Sequence, residues 1–116
     1  QAQMVAVAQT LVRAPEVILL DEPTRALDLH HQLSIMTSIR TEIDRKKPVV
    51  MAALPDLNLA AKFCDRLVLI SDGNILADGP SDEILALLEI GQTYKVETDL
   101  ERTGRGALYV DARLSA

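Results

Sequence analysis

Two adjacent carboxylates, Asp21 and Glu22, follow an apolar run and precede Pro23. Placed at the rim of a fold, one such carboxylate can hold a hard divalent cation through oxygen, and its neighbour can polarise a water for attack. Asp28, His30 and His31 follow shortly. Acids and proline also favour turns for purely local reasons. The surrounding elements therefore have to decide between a site and a turn.

The run Val17, Ile18, Leu19 and Leu20 carries no polar interruption, which reads as a strand covered on both faces, typical of a parallel sheet. Ligands of such folds gather at the carboxyl ends of the strands, where Asp21 and Glu22 emerge. Upstream, Val5, Ala8, Leu11 and Val12 recur at helical spacing until Ala14 and Pro15 stop the pattern. After a turn at residues 23–27, Asp28 is placed to cap a helix whose stripe runs Leu29, Leu33, Met36, Ile39 or Arg40, and Ile43. Arg45, Lys46 and Lys47 suit its negative end, and Pro48 terminates it.

Residues 49–54 form a second apolar strand, Asp56 caps a short helix over 57–63, and residues 67–70 form a third strand. Alternation of strand and helix at these spacings predicts parallel pairing and an α/β fold. The pattern then changes, because Asp72 and Gly73 signal a tight antiparallel hairpin joining residues 68–70 to 75–77. Ser81 is expected as the N-cap of a helix with Asp82 and Glu83 in its first turn, an apolar set of Ile84, Leu85, Leu87 and Leu88, and Gly91 at its close. A terminal hairpin is expected within residues 92–113, from strands at 94–98 and 108–112 around the turn 103–106.

Composition excludes several classes. A net charge of -5 argues against a nucleic-acid partner. The aromatic residues are Phe63, Tyr94 and Tyr109, with no Trp, so a base-stacking platform is not expected. No apolar run approaches the roughly 20 residues that span a bilayer, so any membrane link is expected to pass through another protein. The single Cys64 excludes an internal disulfide, and its apolar neighbours Phe63, Leu67 and Val68 suggest a buried, inert thiol in a cytoplasmic setting. No Gly-rich phosphate loop ending in Gly-Lys-Ser or Gly-Lys-Thr occurs.

The order of these features resembles the C-terminal half of the ATP-binding subunit of an ABC transporter. The resemblance covers essentially all of residues 1–116. Residues 1–11 look like the end of the signature motif and its helix, with Gln1 as the motif's last residue. Residues 17–21 look like the Walker B strand, Glu22 like the catalytic glutamate, and Ala26, Leu27 and Asp28 like the D-loop. Residues 56–61, 64–66, 72–75 and 77–80 are similar to the importer branch that serves iron-siderophore, haem and vitamin B12 systems, as are residues 94–97.

The resemblance implies a P-loop NTPase fold of mostly parallel sheet with flanking helices and C-terminal β-hairpins. It implies ATP and Mg2+ as cofactors of the complete subunit. Asp21 would hold the metal, Glu22 would orient or deprotonate the attacking water, and Asp28 would lie across an interface between two such subunits. Gln1 would face the partner's nucleotide. The implied partners are a second nucleotide-binding subunit, in a homodimer or otherwise, and an integral membrane permease on whose cytoplasmic face the subunit sits.

Two residues depart from the family. A histidine normally follows the second strand, contacting the terminal phosphate and helping to align the water. Here that position is Pro55, which offers neither a side-chain donor nor a backbone N–H. His30 and His31, at the start of a helix, are expected to face solvent rather than replace it. Arg25 stands where a small or polar residue is usual, with an expected effect on the dimer contact. The phosphate loop, the base-stacking aromatic, the Gln-bearing loop and most of the signature motif are expected to precede Gln1. Residues 1–116 alone are therefore expected not to hydrolyse ATP, and to self-associate through an uncovered sheet face. Competing readings are a non-catalytic docking or dimerisation module, and a DNA-repair or translation relative within the same ATPase superfamily.

Overall fold

The computed structural model describes residues 16–115, which divide into two compact units meeting at Pro55 and Asp56. The helix expected before Pro15 lies outside the described residues, as does Gln1.

Among the described residues, the first unit is a strand, a helix and a strand. β1 (Val17–Asp21) pairs parallel with β2 (Val49–Ala53), in a register that sets Val17 opposite Val49 and Asp21 opposite Ala53. α1 (Leu29–Lys46) makes the crossover. Its start is local chemistry: Asp28 Oδ1 accepts the His31 N–H at 2.9 Å, satisfying one of the unpaired donors of the first turn. Its end is an αL cap, in which Lys47 takes φ 55 and donates to the Ile43 carbonyl at 2.9 Å. Arg45 and Lys46 stand beside that negative end and both pair with Glu42.

Among the described residues of this unit, the buried hydrophobic ones are Ile18, Ile35, Met36 and Ile39. Two features of this unit bear on what the sequence leads one to expect. Among the described residues β1, whose apolar run reads as covered on both faces, is covered on one only: Ile18 is 4% exposed and Leu19 73%, because successive strand residues point to opposite faces, and the other side is the open face expected of residues 1–116 alone. Val17, Leu19, Val49 and Met51 together form the exposed apolar face. The α1 stripe is also rotated from the one expected. Ile35 joins Met36 and Ile39 at its buried centre, whereas Leu29, at the first helical position, is exposed.

The second unit holds two hairpins and three short helices. α2 (Leu57–Phe63) starts as expected, with Asp56 Oδ1 accepting from the N–H groups of Asn58 at 2.8 Å and Leu59 at 3.1 Å. β3 (Arg66–Ser71) and β4 (Asn74–Pro80) pair antiparallel. Asp72 at φ 51 and Gly73 at φ 77 give the two left-handed residues of a type I′ turn. β3, expected in the parallel set, thus makes its ladder with β4 among the described residues, since a two-residue turn brings that partner directly alongside.

Residues 81–94 differ from the single helix expected. They form α3 (Ser81–Leu85) and α4 (Leu88–Tyr94). Ser81 is not a cap: Pro80 holds that place, and the Ser81 hydroxyl donates to the Cys64 carbonyl while its N–H donates to the Asp65 carbonyl at 3.1 Å. Gly91 sits inside α4 rather than closing it, and Lys95, at φ 58, is the C-cap. A Cβ on Gly91 would stand 2.6 Å from the Val96 carbonyl oxygen, so the returning backbone excludes any side chain there. Gly91→Ala is therefore expected to destabilise the protein by roughly 1–3 kcal/mol through overpacking against backbone. The check is the denaturant midpoint at constant slope, and an unchanged midpoint would show that the connection relaxes freely.

β5 (Glu97–Arg102) and β6 (Leu108–Arg113) form the terminal antiparallel hairpin. Tyr94, expected in the first of these strands, belongs to α4. Asn58 joins α2 to β6 by acting as a surrogate strand neighbour: its amide accepts the Val110 N–H at 2.7 Å and donates to the Val110 carbonyl at 3.2 Å. Below that pair Ala61, Leu85 and Val110 make one apolar cluster, and Leu69, Ile84 and Ile90 make another. The fold is α/β, with parallel pairing between β1 and β2 and hairpins in the C-terminal half.

Candidate active site at the end of β1

Asp21 is the last residue of β1, exposed and opposite Ala53 in the parallel register. The next backbone N–H, that of Glu22, still donates to the Ala53 carbonyl at 3.0 Å, so the pairing carries one residue beyond the strand. There the chain breaks direction. Glu22 takes φ 46, a left-handed conformation unusual for a residue with a Cβ and one that concentrates at functional sites. Two hydrogen-bonded turns follow, from Arg25 N–H to the Glu22 carbonyl at 3.0 Å and from Leu27 N–H to the Thr24 carbonyl at 3.3 Å. Pro23 and Thr24 are buried and anchor these turns, and Ala26 is again left-handed at φ 60. Asp28 then caps α1.

This geometry presents Asp21 and Glu22 side by side where the parallel pair ends. Pro55 is exposed and lies two residues past Ala53, at the same end of the pair. The Glu22 carboxylate is not alone, because Arg25 forms an ion pair with it, from Nη2 to Oε2. That contact was not among the sequence expectations, although a Glu and an Arg three apart across a turn are the signal that would have suggested it.

Asp28 is engaged with the histidine that follows. Its Oδ1 accepts from the His31 backbone and lies 2.7 Å from His31 Nδ1. The backbone hydrogen bond from His31, and then the side-chain one, hold the Asp28 carboxyl below the usual carboxylate range. His31 is half-buried against this cap rather than solvent-facing as expected, while His30 is exposed and meets the His31 ring edge-on at 5.3 Å. Cys64, expected to be buried, is half-buried at the end of α2, and its carbonyl receives Ser81.

Among the described residues, no three His, Cys, Asp or Glu side chains gather into a metal cage. Mg2+ is commonly held by one or two carboxylates together with substrate phosphates and water. An exposed Asp21 with no side-chain partner among the described residues fits such a ligand. The second unit also carries an open groove of about 940 Å³ between α4 and β5, lined by Leu85, Leu88, Lys95, Val96, Asp99 and Arg113. None of the expected site residues lines it. No helix among the described residues is long and apolar enough to cross a membrane.

No family model matches the chain. Individual proteins do. The chain is 40% identical over 96 residues to a hemin import ATP-binding protein of Rhodopseudomonas palustris (strain BisA53), a match covering 83% of this chain and 35% of that protein. It is 40% identical over 85 residues to a cobalamin import ATP-binding protein of Halobacterium salinarum, covering 73% and 21% respectively. With a hemin import ATP-binding protein of Rhodococcus jostii it shares 44% identity over 82 residues, covering 71% and 28%. The chain thus spans between a fifth and about a third of the length of these curated relatives. Its fold matches a solved structure described as an inward-facing metal-chelate type ABC transporter, with a TM-score of 0.73, at 21% identity, over 96% of this chain and 44% of that one. On sequence and fold together, the chain belongs to the family of ABC transporter ATP-binding subunits and is similar to its hemin and cobalamin import members.

Proposed function

We propose that this chain is the C-terminal portion, over residues 1–116, of the ATP-binding subunit of an importer, and carries the metal and water half of its ATP site. The observation that supports this most is the placement of Asp21 and Glu22, adjacent at the carboxyl end of a parallel strand, in a chain whose relatives are import ATP-binding proteins. Mg2+, when bound, neutralises charge between the outer phosphates. Asp21 would hold that ion, and Glu22 would orient the attacking water and accept its proton.

Asp28 would lie at the interface with a second nucleotide-binding subunit, where its present engagement with His31 sets the start of α1. Gln1 would face the nucleotide held by that second subunit. Pro55 would border the terminal phosphate without donating to it. The relatives' names point to hemin, cobalamin or a similar metal chelate as the solute. The subunit would act at the cytoplasmic face of the membrane, docked on an integral permease, with no nucleic-acid partner.

A second reading keeps the docking and dimerisation surfaces without hydrolysis, and Pro55 is the residue that favours it. Both readings are testable in the complete subunit carrying this sequence. Asp21→Asn is expected to abolish most of the Mg2+ dependence of binding of a fluorescent ATP analogue, because the amide removes the anionic ligand while keeping its shape. An unaltered Mg2+ dependence would remove Asp21 from the metal site. No analogue binding by the wild-type subunit would favour the docking module.

A further inference from the structure

The Arg25 side chain does something at this site that none of the roles above assigns to it. The turn from Glu22 to Arg25 is closed by the 3.0 Å backbone bond between them and anchored by buried Pro23 and Thr24. It brings the guanidinium back onto the carboxylate that opened the turn. Arg25 Nη2 meets Glu22 Oε2. Among the described residues Glu22 Oε1 takes neither a hydrogen bond nor an ion pair.

A carboxylate held through one oxygen and open at the other has the arrangement of a base oriented by a third group. The left-handed φ of 46 at Glu22 fixes the direction in which its side chain leaves the backbone, and Arg25 then fixes where the carboxylate ends. The Arg25 side chain is 72% exposed against 28% for Glu22, so the cation approaches from the solvent side and leaves most of its N–H donors uncommitted. Pro55, at the same end of the strand pair, has no side-chain donor to offer.

We propose that Arg25 is a positioning residue for Glu22: it holds Oε2 so that Oε1 is presented to the attacking water, supplying from the turn the donor that Pro55 cannot supply from the end of β2. The inference rests on the reading of the site as one that hydrolyses ATP. It also favours arginine over lysine, since a planar fork can hold a carboxylate oxygen in a fixed direction, whereas lysine offers a point charge on a flexible stem.

The test uses the complete subunit assembled with its permease and compares wild type, Arg25→Ala, Arg25→Lys, Pro55→His and the double variant Arg25→Ala with Pro55→His. Arg25→Ala is expected to lower kcat by about tenfold while KM and the affinity for a fluorescent ATP analogue stay within about twofold, the pattern of a group that acts only in the reacting complex. Arg25→Lys is expected to recover part of the loss. In the Pro55→His background the loss is expected to shrink, because the imidazole then shares the task. A crystal structure of the nucleotide-free subunit is expected to show Arg25 Nη2 within hydrogen-bond reach of Glu22 Oε2.

Equal or higher kcat in Arg25→Ala overturns the inference, as does a kcat loss undiminished by Pro55→His or a guanidinium turned away from Glu22 in the crystal. Wild type that binds the analogue without turnover above background also overturns it, and leaves the ATP-binding reading standing. Wild type that binds no analogue overturns that reading and the inference with it.

Discussion

Glu22→Gln is expected to lower ATP turnover of the complete subunit by roughly 10²–10⁴-fold, the usual contribution of a positioned general base. Glutamine keeps the volume and the hydrogen-bonding reach of glutamate but carries no charge and accepts no proton from water. The backbone at this position should not change, since the left-handed φ of 46 and the N–H bond to Ala53 do not depend on the carboxylate. The amide oxygen can still accept from Arg25, so the turn should persist with its ion pair reduced to a hydrogen bond. ATP affinity should therefore be retained while hydrolysis is lost. Paired measurements of nucleotide binding and phosphate release distinguish this outcome from general damage. Turnover within twofold of wild type would take the base role from Glu22, and a parallel loss of binding and turnover would assign the residue to ligand binding instead.

The second large effect is expected at Pro55, in the opposite direction. Pro55→His should raise turnover roughly tenfold or more, because one hydrogen bond involving a charged group contributes about 1.5–3 kcal/mol and each 1.36 kcal/mol off the barrier is tenfold in rate. The substitution is compatible with the local structure. Pro55 is exposed, lies beyond the last paired residue of β2, and precedes the Asp56 cap without taking part in it. Losing the proline should cost less than about 1 kcal/mol of stability through the added freedom of the unfolded chain. Phosphate release at saturating ATP is the measurement. Equal turnover in the two proteins would show that the missing imidazole is not what limits this site.

Both predictions concern side chains that sequence reasoning had already singled out, and the physical reason is proximity along the chain. A carboxylate that caps a helix does so within three residues, so Asp28 and Asp56 could be assigned before any tertiary contact was known. The Asp72 and Gly73 turn is equally local, since its two positive φ angles are a property of those residue types. The α/β class followed from the alternation of apolar strands with an amphipathic helix, and Asp21 with Glu22 followed from the abrupt end of the first strand.

What the sequence could not carry was any choice that depends on which neighbour is present. An all-apolar run such as residues 17–20 has no alternation to mark its inner face, so only packing in the folded chain decided that Ile18 is covered and Leu19 is not. The same packing set Ile35 at the centre of the α1 stripe. Ser81 looked like a cap and became a donor to the Cys64 carbonyl, because that acceptor arrives from far along the chain. Gly91 looked like a helix stop and is instead the place where the Val96 backbone passes too close for a side chain. At the site itself, residue types alone determined that a metal ligand and a base could stand together at a strand end. The tertiary structure decided how Glu22 is held: backbone pairing to β2 carries it past the strand, a left-handed turn redirects it, and Arg25 is brought back onto its carboxylate.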